Sequence, residues 1–159
     1  SGGASPFGND TVQYSGSAND KALNAAVLRF KADPQASARF DADVNHHGQF
    51  RVPVLTTHGL RDSTVFVEGQ DSLRMRMASA GNGTHLVQTY VDSAEHSYLG
   101  EAISPPLFEA LLAWVNQGVK PTPAGIAERC AVLRPAQVAE CRFQTDFQVR
   151  PLATRIAPR

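Results

Sequence analysis

Asp62 and His96 are the side chains whose types and placement point to chemistry. Each stands in a polar loop just after a short run of apolar and β-branched residues, 52–57 before the acid and 86–91 before the histidine. A carboxylate beside an imidazole can accept a hydrogen bond from one ring nitrogen, fix the tautomer and stabilise the imidazolium. The other nitrogen is then free to take a proton from a serine hydroxyl. Singly, each residue has an ordinary explanation, since acids before helices often cap them and loop histidines are often merely solvated. As a pair on neighbouring loops they are read as orienting acid, Asp62, and general base, His96. The remaining histidines fit other roles. His46 and His47 are adjacent on an extended segment and point apart, so they do not share a metal. His58 is read as packing in the turn before Gly59, and His85 as lying at a strand edge. Ser1 allows a rival mechanism, an N-terminal nucleophile whose own α-amine is the base, but Gly2-Gly3-Ala4-Ser5-Pro6 lacks the strand character such a nucleophile needs.

The elements that must position the pair can be read around them. Residues 1–18 are rich in small and turn-forming types and read as a loop. Asn19 or Asp20 caps a helix through Leu23, Val27 and Phe30 that ends at Asp33-Pro34, and a short second helix spans about 35–43. His46-His47-Gly48 breaks the pattern before a strand at 52–57. A helix carrying Phe66, Leu73 and Met77, with Gly69 inside it, ends at Gly81-Asn82-Gly83, and 86–91 is a second strand. Ser104 caps the next helix, with Pro105 at its first position, an apolar face of Leu107, Phe108, Leu111, Leu112 and Val115, and Gly118 beyond its end. Trp114 and Tyr98 are candidates to line a substrate pocket, and Trp114, on this helix, is expected rather to pack on the sheet. A further short helix covers about 124–133. Strand, loop, helix, strand, loop, helix is the pattern of a parallel pair in a helix-covered sheet, so the fold class is α/β. Functional loops in such sheets lie at the carboxyl ends of the strands, where Asp62 and His96 both fall.

The run Val52-Pro53-Val54-Leu55-Thr56-Thr57-His58-Gly59-Leu60-Arg61-Asp62 resembles the segment of the α/β-hydrolase superfamily in which a strand enters His-Gly and then the catalytic acid. The stretch from Leu86 to Val91 followed by Glu95-His96-Ser97-Tyr98 is similar to that family's last strand and catalytic histidine. Glu95 stands where many relatives have glycine. The family's nucleophile lies on a G-x-S-x-G turn ahead of acid and base, and no such pentapeptide occurs in this chain. The resemblance therefore implies the C-terminal portion of an α/β-hydrolase: its last two parallel strands with flanking helices at 51–120, a lid-like helical segment at 1–50 and an extension at 121–159. It implies a serine hydrolase, with carboxylic esters as the expected substrate class and peptides or amides as the alternative. The serine and oxyanion donors are expected on a companion, the N-terminal fragment of the same precursor, cleaved before Ser1. Triad chemistry calls for no metal or organic cofactor. A rival of another class is a non-catalytic α/β domain that binds through the Asp62 and His96 face.

Composition narrows the partners. The 159 residues carry 15 basic and 15 acidic side chains, 19% charged and 42% hydrophobic in all, which suits a folded domain. Without surplus Lys and Arg a nucleic-acid partner is not expected. No apolar run approaches the roughly 20 residues that span a bilayer. Cys130 and Cys141 lack the clustered spacing of a zinc site. They are expected to form a disulfide, worth about 3 kcal/mol in the chain-entropy description, with two buried thiols as the alternative. A disulfide implies an oxidising compartment, so the chain is expected to be secreted or periplasmic.

Overall fold

A computed structural model describes residues 3–154 and 157–158. In chain order its regular elements are β1 (Val12–Gln13), α1 (Asp20–Ala26), α2 (Pro34–Val44), β2 (Val54–Gly59), α3 (Gly69–Ser79), β3 (Leu86–Val91), α4 (Ser104–Gln117), α5 (Pro123–Leu133) and β4 (Ala157–Pro158), with short 3-10 turns between some of them. The fold is mixed α/β, and its parallel sheet among the described residues has two strands, β2 and β3. No helix among these residues is long and apolar enough to cross a membrane. The chain divides into two compact units, one from the N-terminal side up to His46 together with the segment from Leu152, the other His47–Pro151.

In the first unit β1 pairs antiparallel with β4. Helix α1 begins as the sequence suggests, with the Asn19 side chain accepting from the Ala22 amide. It stops at Ala26, well before the expected Asp33-Pro34. The reason is a competing set of bonds: Asn9 donates through Nδ2 to the Leu28 carbonyl and accepts the Phe30 amide, while the Arg29 guanidinium donates to the Asn9 and Val12 carbonyls. Those contacts hold 28–30 against the loop, so Val27 and Phe30 lie outside the helix. Asp33 then caps α2 through the Ala36 amide, and Pro34 takes its first position.

In the second unit β2 and β3 run parallel, in register from Val54 opposite Leu86 to Gly59 opposite Val91. Strand β3 is almost wholly buried, whereas every residue of β2 before Gly59 stays partly exposed. The difference follows from their edges. The far side of β3 is covered by the chain after α5, where the Asp92 amide donates to the Arg142 carbonyl, the Gln144 amide donates to the Tyr90 carbonyl, and Val91 bridges Phe143. The far side of β2 pairs with no strand among the described residues. The core gathers Met77, Val91, Ile103, Ile126 and Cys130, none more than 2% exposed.

Three helix readings are corrected by the packing. Helix α3 starts at Gly69, so that glycine opens the helix and Phe66 precedes it. Ser104 lies inside α4, whose N-cap is Ile103 with no side-chain cap bond; Pro105 near the start and Gly118 in the left-handed conformation at the end are as expected. The face of α4 read as core is largely on the surface: Phe108, Leu112 and Val115 are exposed, and the residues it buries are Pro106 and Trp114. A helix apolar on more than one face can bury only one of them against a two-stranded sheet.

Gly48 shows how tightly the second unit is closed. Its φ is +68°, and a Cβ there would run into the Arg76 carbonyl at the end of α3, while its own carbonyl accepts a hydrogen bond from Asn82. Gly48→Ala should therefore lower stability by more than about 1 kcal/mol, both from the left-handed backbone and from contact with backbone that cannot rotate away. Urea denaturation with a midpoint equal to wild type would contradict this packing.

Candidate active site

The parallel ladder continues past the ends of the strands and ties the two loops together. The Leu60 amide donates to the Val91 carbonyl and the Arg61 amide to the Ser93 carbonyl, each at 2.9 Å. This approach requires a glycine, because a Cβ on Gly59 would sit 2.9 Å from the Glu95 carbonyl oxygen and 3.0 Å from that of Ser93. The His-Gly step before the acid thus has a mechanical cause: it lets the backbone of the acid loop touch that of the histidine loop.

Asp62 turns inward at the tip of its loop. One carboxylate oxygen, Oδ1, accepts the amides of Thr64 at 2.8 Å and Val65 at 3.0 Å, a turn in which an aspartate serves the backbone just ahead of it. The other, Oδ2, accepts from His96 Nδ1 at 2.8 Å. The Asp62 side chain is 2% exposed and that of His96 47% exposed. The amide of Val65 is the chief cause that holds the carboxyl down at about 2; burial opposes it, and the bonds from His96 and Thr64 add to it. A carboxylate at that value only accepts hydrogen bonds, so the proton between the two side chains is on Nδ1 of His96.

The structure thus brings together the two residues singled out from the sequence, and it adds neighbours that the sequence did not flag. His58 is nearly buried, with Nδ1 against the Gly59 carbonyl at 2.9 Å and Nε2 3.9 Å from Asp62 Oδ2, too long for a hydrogen bond. It walls the carboxylate as well as packing the turn, and its spacing of four from Asp62 was the available signal. Ser93 is 2% exposed, and its hydroxyl accepts the Glu95 amide, so it shapes the bend before His96. Arg61 pairs with Asp92 at 2.9 Å on the surface, where such a pair contributes little. Among the described residues the Asp62 carboxylate is the hydrogen-bond partner of the His96 ring, and no serine hydroxyl joins it. Ser1 lies outside those residues.

The other sequence candidates fall elsewhere. His85 Nδ1 meets the Phe50 carbonyl at 3.2 Å. Among the described residues no group of three or more His, Cys, Asp or Glu side chains is gathered as a metal site. Cys130 and Cys141 are joined in a disulfide, so the two-thiol alternative does not hold. Tyr98 is exposed, while Trp114 is buried on α4 with the Lys120 ammonium 5.4 Å from its ring centroid.

The position of the Asp62 carboxyl is measurable. Because its folded value is below the ordinary 3.8, the stabilisation it carries is fully present above about pH 4 and is lost as pH falls toward 2. Carbon-13 NMR of the Asp62 carboxyl should give a midpoint at about 2. In His96→Ala the midpoint should rise only part of the way back, since the Val65 amide remains. A wild-type midpoint at or above 3.8 would show that the carboxylate is not held as described.

No protein-family model, curated protein or solved structure matches this chain, and the reading of the site rests on its geometry and on the motifs around it.

Proposed function

We propose that Asp62 and His96 are the acid and base of a serine hydrolase acting on carboxylic esters, and that the nucleophilic serine belongs to a separate polypeptide, the N-terminal part of the same precursor. The observation that carries this reading is the bond from His96 Nδ1 to a buried carboxylate whose other oxygen is fixed by two amides. Such an arrangement prepares one imidazole nitrogen to be a base and leaves the carboxylate no other proton to exchange. The serine hydroxyl transfers its proton to Nε2 as its oxygen bonds to the ester carbonyl carbon. Collapse of the tetrahedral intermediate breaks the bond to the alcohol oxygen, which leaves with that proton. Water then repeats the cycle on the acyl-enzyme, restoring the serine and releasing the acid. Throughout, Asp62 keeps the ring oriented and stabilises its positive charge.

Three features support a companion on the β2 side. The outer edge of β2 is unpaired among the described residues. Leu55, Thr57, Ser104, Leu107, Phe108 and Leu111 line a groove of about 290 Å³ there, and the buried Thr57 hydroxyl has no hydrogen-bond partner among the described residues. Phe108, Leu112, Val115 and Val119 form an exposed stripe along α4 and just past its end. Open parallel edges and apolar faces of this kind are ordinarily covered, because parallel sheets are stable when both faces and edges are protected. Val87, in contrast, is already buried by its own chain. The disulfide further favours an oxidising location, secreted or periplasmic.

In the complete enzyme, His96→Ala should lower kcat for a nitrophenyl ester about a thousandfold or more, and Asp62→Asn by a similar order, with folding confirmed by NMR. Near-normal turnover in either folded variant would remove the residue from the mechanism. Peptide amides cleaved in preference to esters would move the enzyme to the peptidase class. Native mass spectrometry should reveal the 159-residue chain bound to a second, serine-bearing polypeptide, and a stable, cooperatively unfolding monomer of this chain alone would contradict that partner.

A further inference from the structure

We infer that the Cys130–Cys141 disulfide is a positioning device for His96, so that turnover depends on the oxidation state of this bond; the inference rests on the catalytic reading of His96. The histidine loop has little to hold it from within. Ala94 to Tyr98 are all exposed, and besides the bond to Asp62 the bend relies on the Glu95 amide donating to Ser93 Oγ and the Arg61 amide donating to the Ser93 carbonyl. Its placement therefore depends on the points where it leaves β3 and enters α4.

Both points are fastened to the disulfide. At the exit from β3, the residues directly after Cys141 form the covering segment: the Arg142 carbonyl accepts the Asp92 amide at 2.9 Å, and the Gln144 amide donates to the Tyr90 carbonyl at 2.8 Å. At the return, the Cys130 sulfur lies 3.3 Å from the carbonyl oxygen of Ala102, a packing contact because the bonded sulfur carries no hydrogen. Cys130, Ala102 and Ile103 are at most 1% exposed, so this anchor cannot shift without opening the core. Between the anchors, a Cβ at Gly100 would lie 3.6 Å from the Glu140 carboxylate, which places the residue preceding Cys141 against the same loop. The covalent bond, with its Cα atoms 5.9 Å apart, thus joins the two clamps of the loop that carries the base.

A small dithiol reductant would open the clamp by attack of its thiolate on the partly exposed Cys141. The S–S bond breaks, Cys130 leaves as thiolate and is protonated, and the second thiol of the reagent closes its own disulfide, releasing Cys141 as a thiol. Two electrons and two protons pass from reagent to protein. The 141–144 segment then holds to β3 by backbone bonds alone, and the loop gains freedom at its exit. Misplacement of a catalytic group by about 1 Å is enough to cost about a hundredfold in rate.

The test compares the complete enzyme as wild type, as wild type reduced with dithiothreitol and then reoxidised, and as Cys141→Ser, which keeps the buried Cys130 in place. Expected are a fall in kcat of about ten- to a hundredfold with KM changed less than about twofold, faster hydrogen exchange of the Asp92 and Gln144 amides and of the His96 Nδ1 proton, and recovery on reoxidation. Should Cys141→Ser not fold, the pair Cys130→Val and Cys141→Ala, which fills the buried position, takes its place. A merely structural bond would lower the melting temperature and leave kcat at low temperature and His96 exchange unchanged, and that result overturns the inference. If no form hydrolyses esters, the catalytic reading fails; the exchange of the His96 Nδ1 proton still decides whether the bond positions the ring.

Discussion

Everything proposed for this chain depends on one hydrogen bond between a buried carboxylate and a half-exposed imidazole. A carboxylate taken out of water must have its lone pairs satisfied, and Asp62 meets that demand with two amides from its own loop and one ring N–H from another. The loop amides fix the acid whether or not histidine is present, and the acid then fixes the histidine. The order suits the proposed role, because the partner held by backbone amides lies in the protein interior and the imidazole faces outward. Gly59 makes the arrangement possible, since only a residue without a side chain lets the two loop backbones come this close.

The same geometry leaves a sheet with one finished side. Strand β3 is buried and bordered by the segment that follows Cys141, whereas β2 is partly exposed and α4 carries apolar residues that the described residues do not cover. Under the proposed function, the serine that His96 would serve and the β2 edge left unpaired among the described residues call for one and the same addition. The proposed companion polypeptide on the β2 side would supply both, and it would cover an apolar helix whose sequence is richer in hydrophobic residues than its visible packing requires.

How much of this was legible beforehand follows from where the controlling forces act. Leu86–Val91 is assigned residue for residue because its β-branched composition agrees with its burial. The strand at 52–57 is observed at Val54–Gly59, displaced because its pairing with β3 continues to Gly59 and Pro53 cannot donate to a ladder. Asp62 and His96 could be found because parallel strands deliver their following loops to one edge. The failures are long-range: Asn9 ends α1 early from a position far back in the chain, and α4 turns a different face inward than its periodicity suggests. Of the walls of the site, His58 left a signal in its spacing of four from Asp62, whereas the Thr64 and Val65 amides act through backbone geometry, which no residue type announces.

The central claim, that His96 is the base for a serine outside these 159 residues, is tested most directly by labelling the complete enzyme with a fluorophosphonate and locating the adduct by peptide mass spectrometry. The account predicts one adduct, on a serine of the companion polypeptide, formed rapidly in the wild type and at least about a hundredfold more slowly in His96→Ala. An adduct within the 159 residues, or labelling that proceeds equally fast without the imidazole, would contradict it.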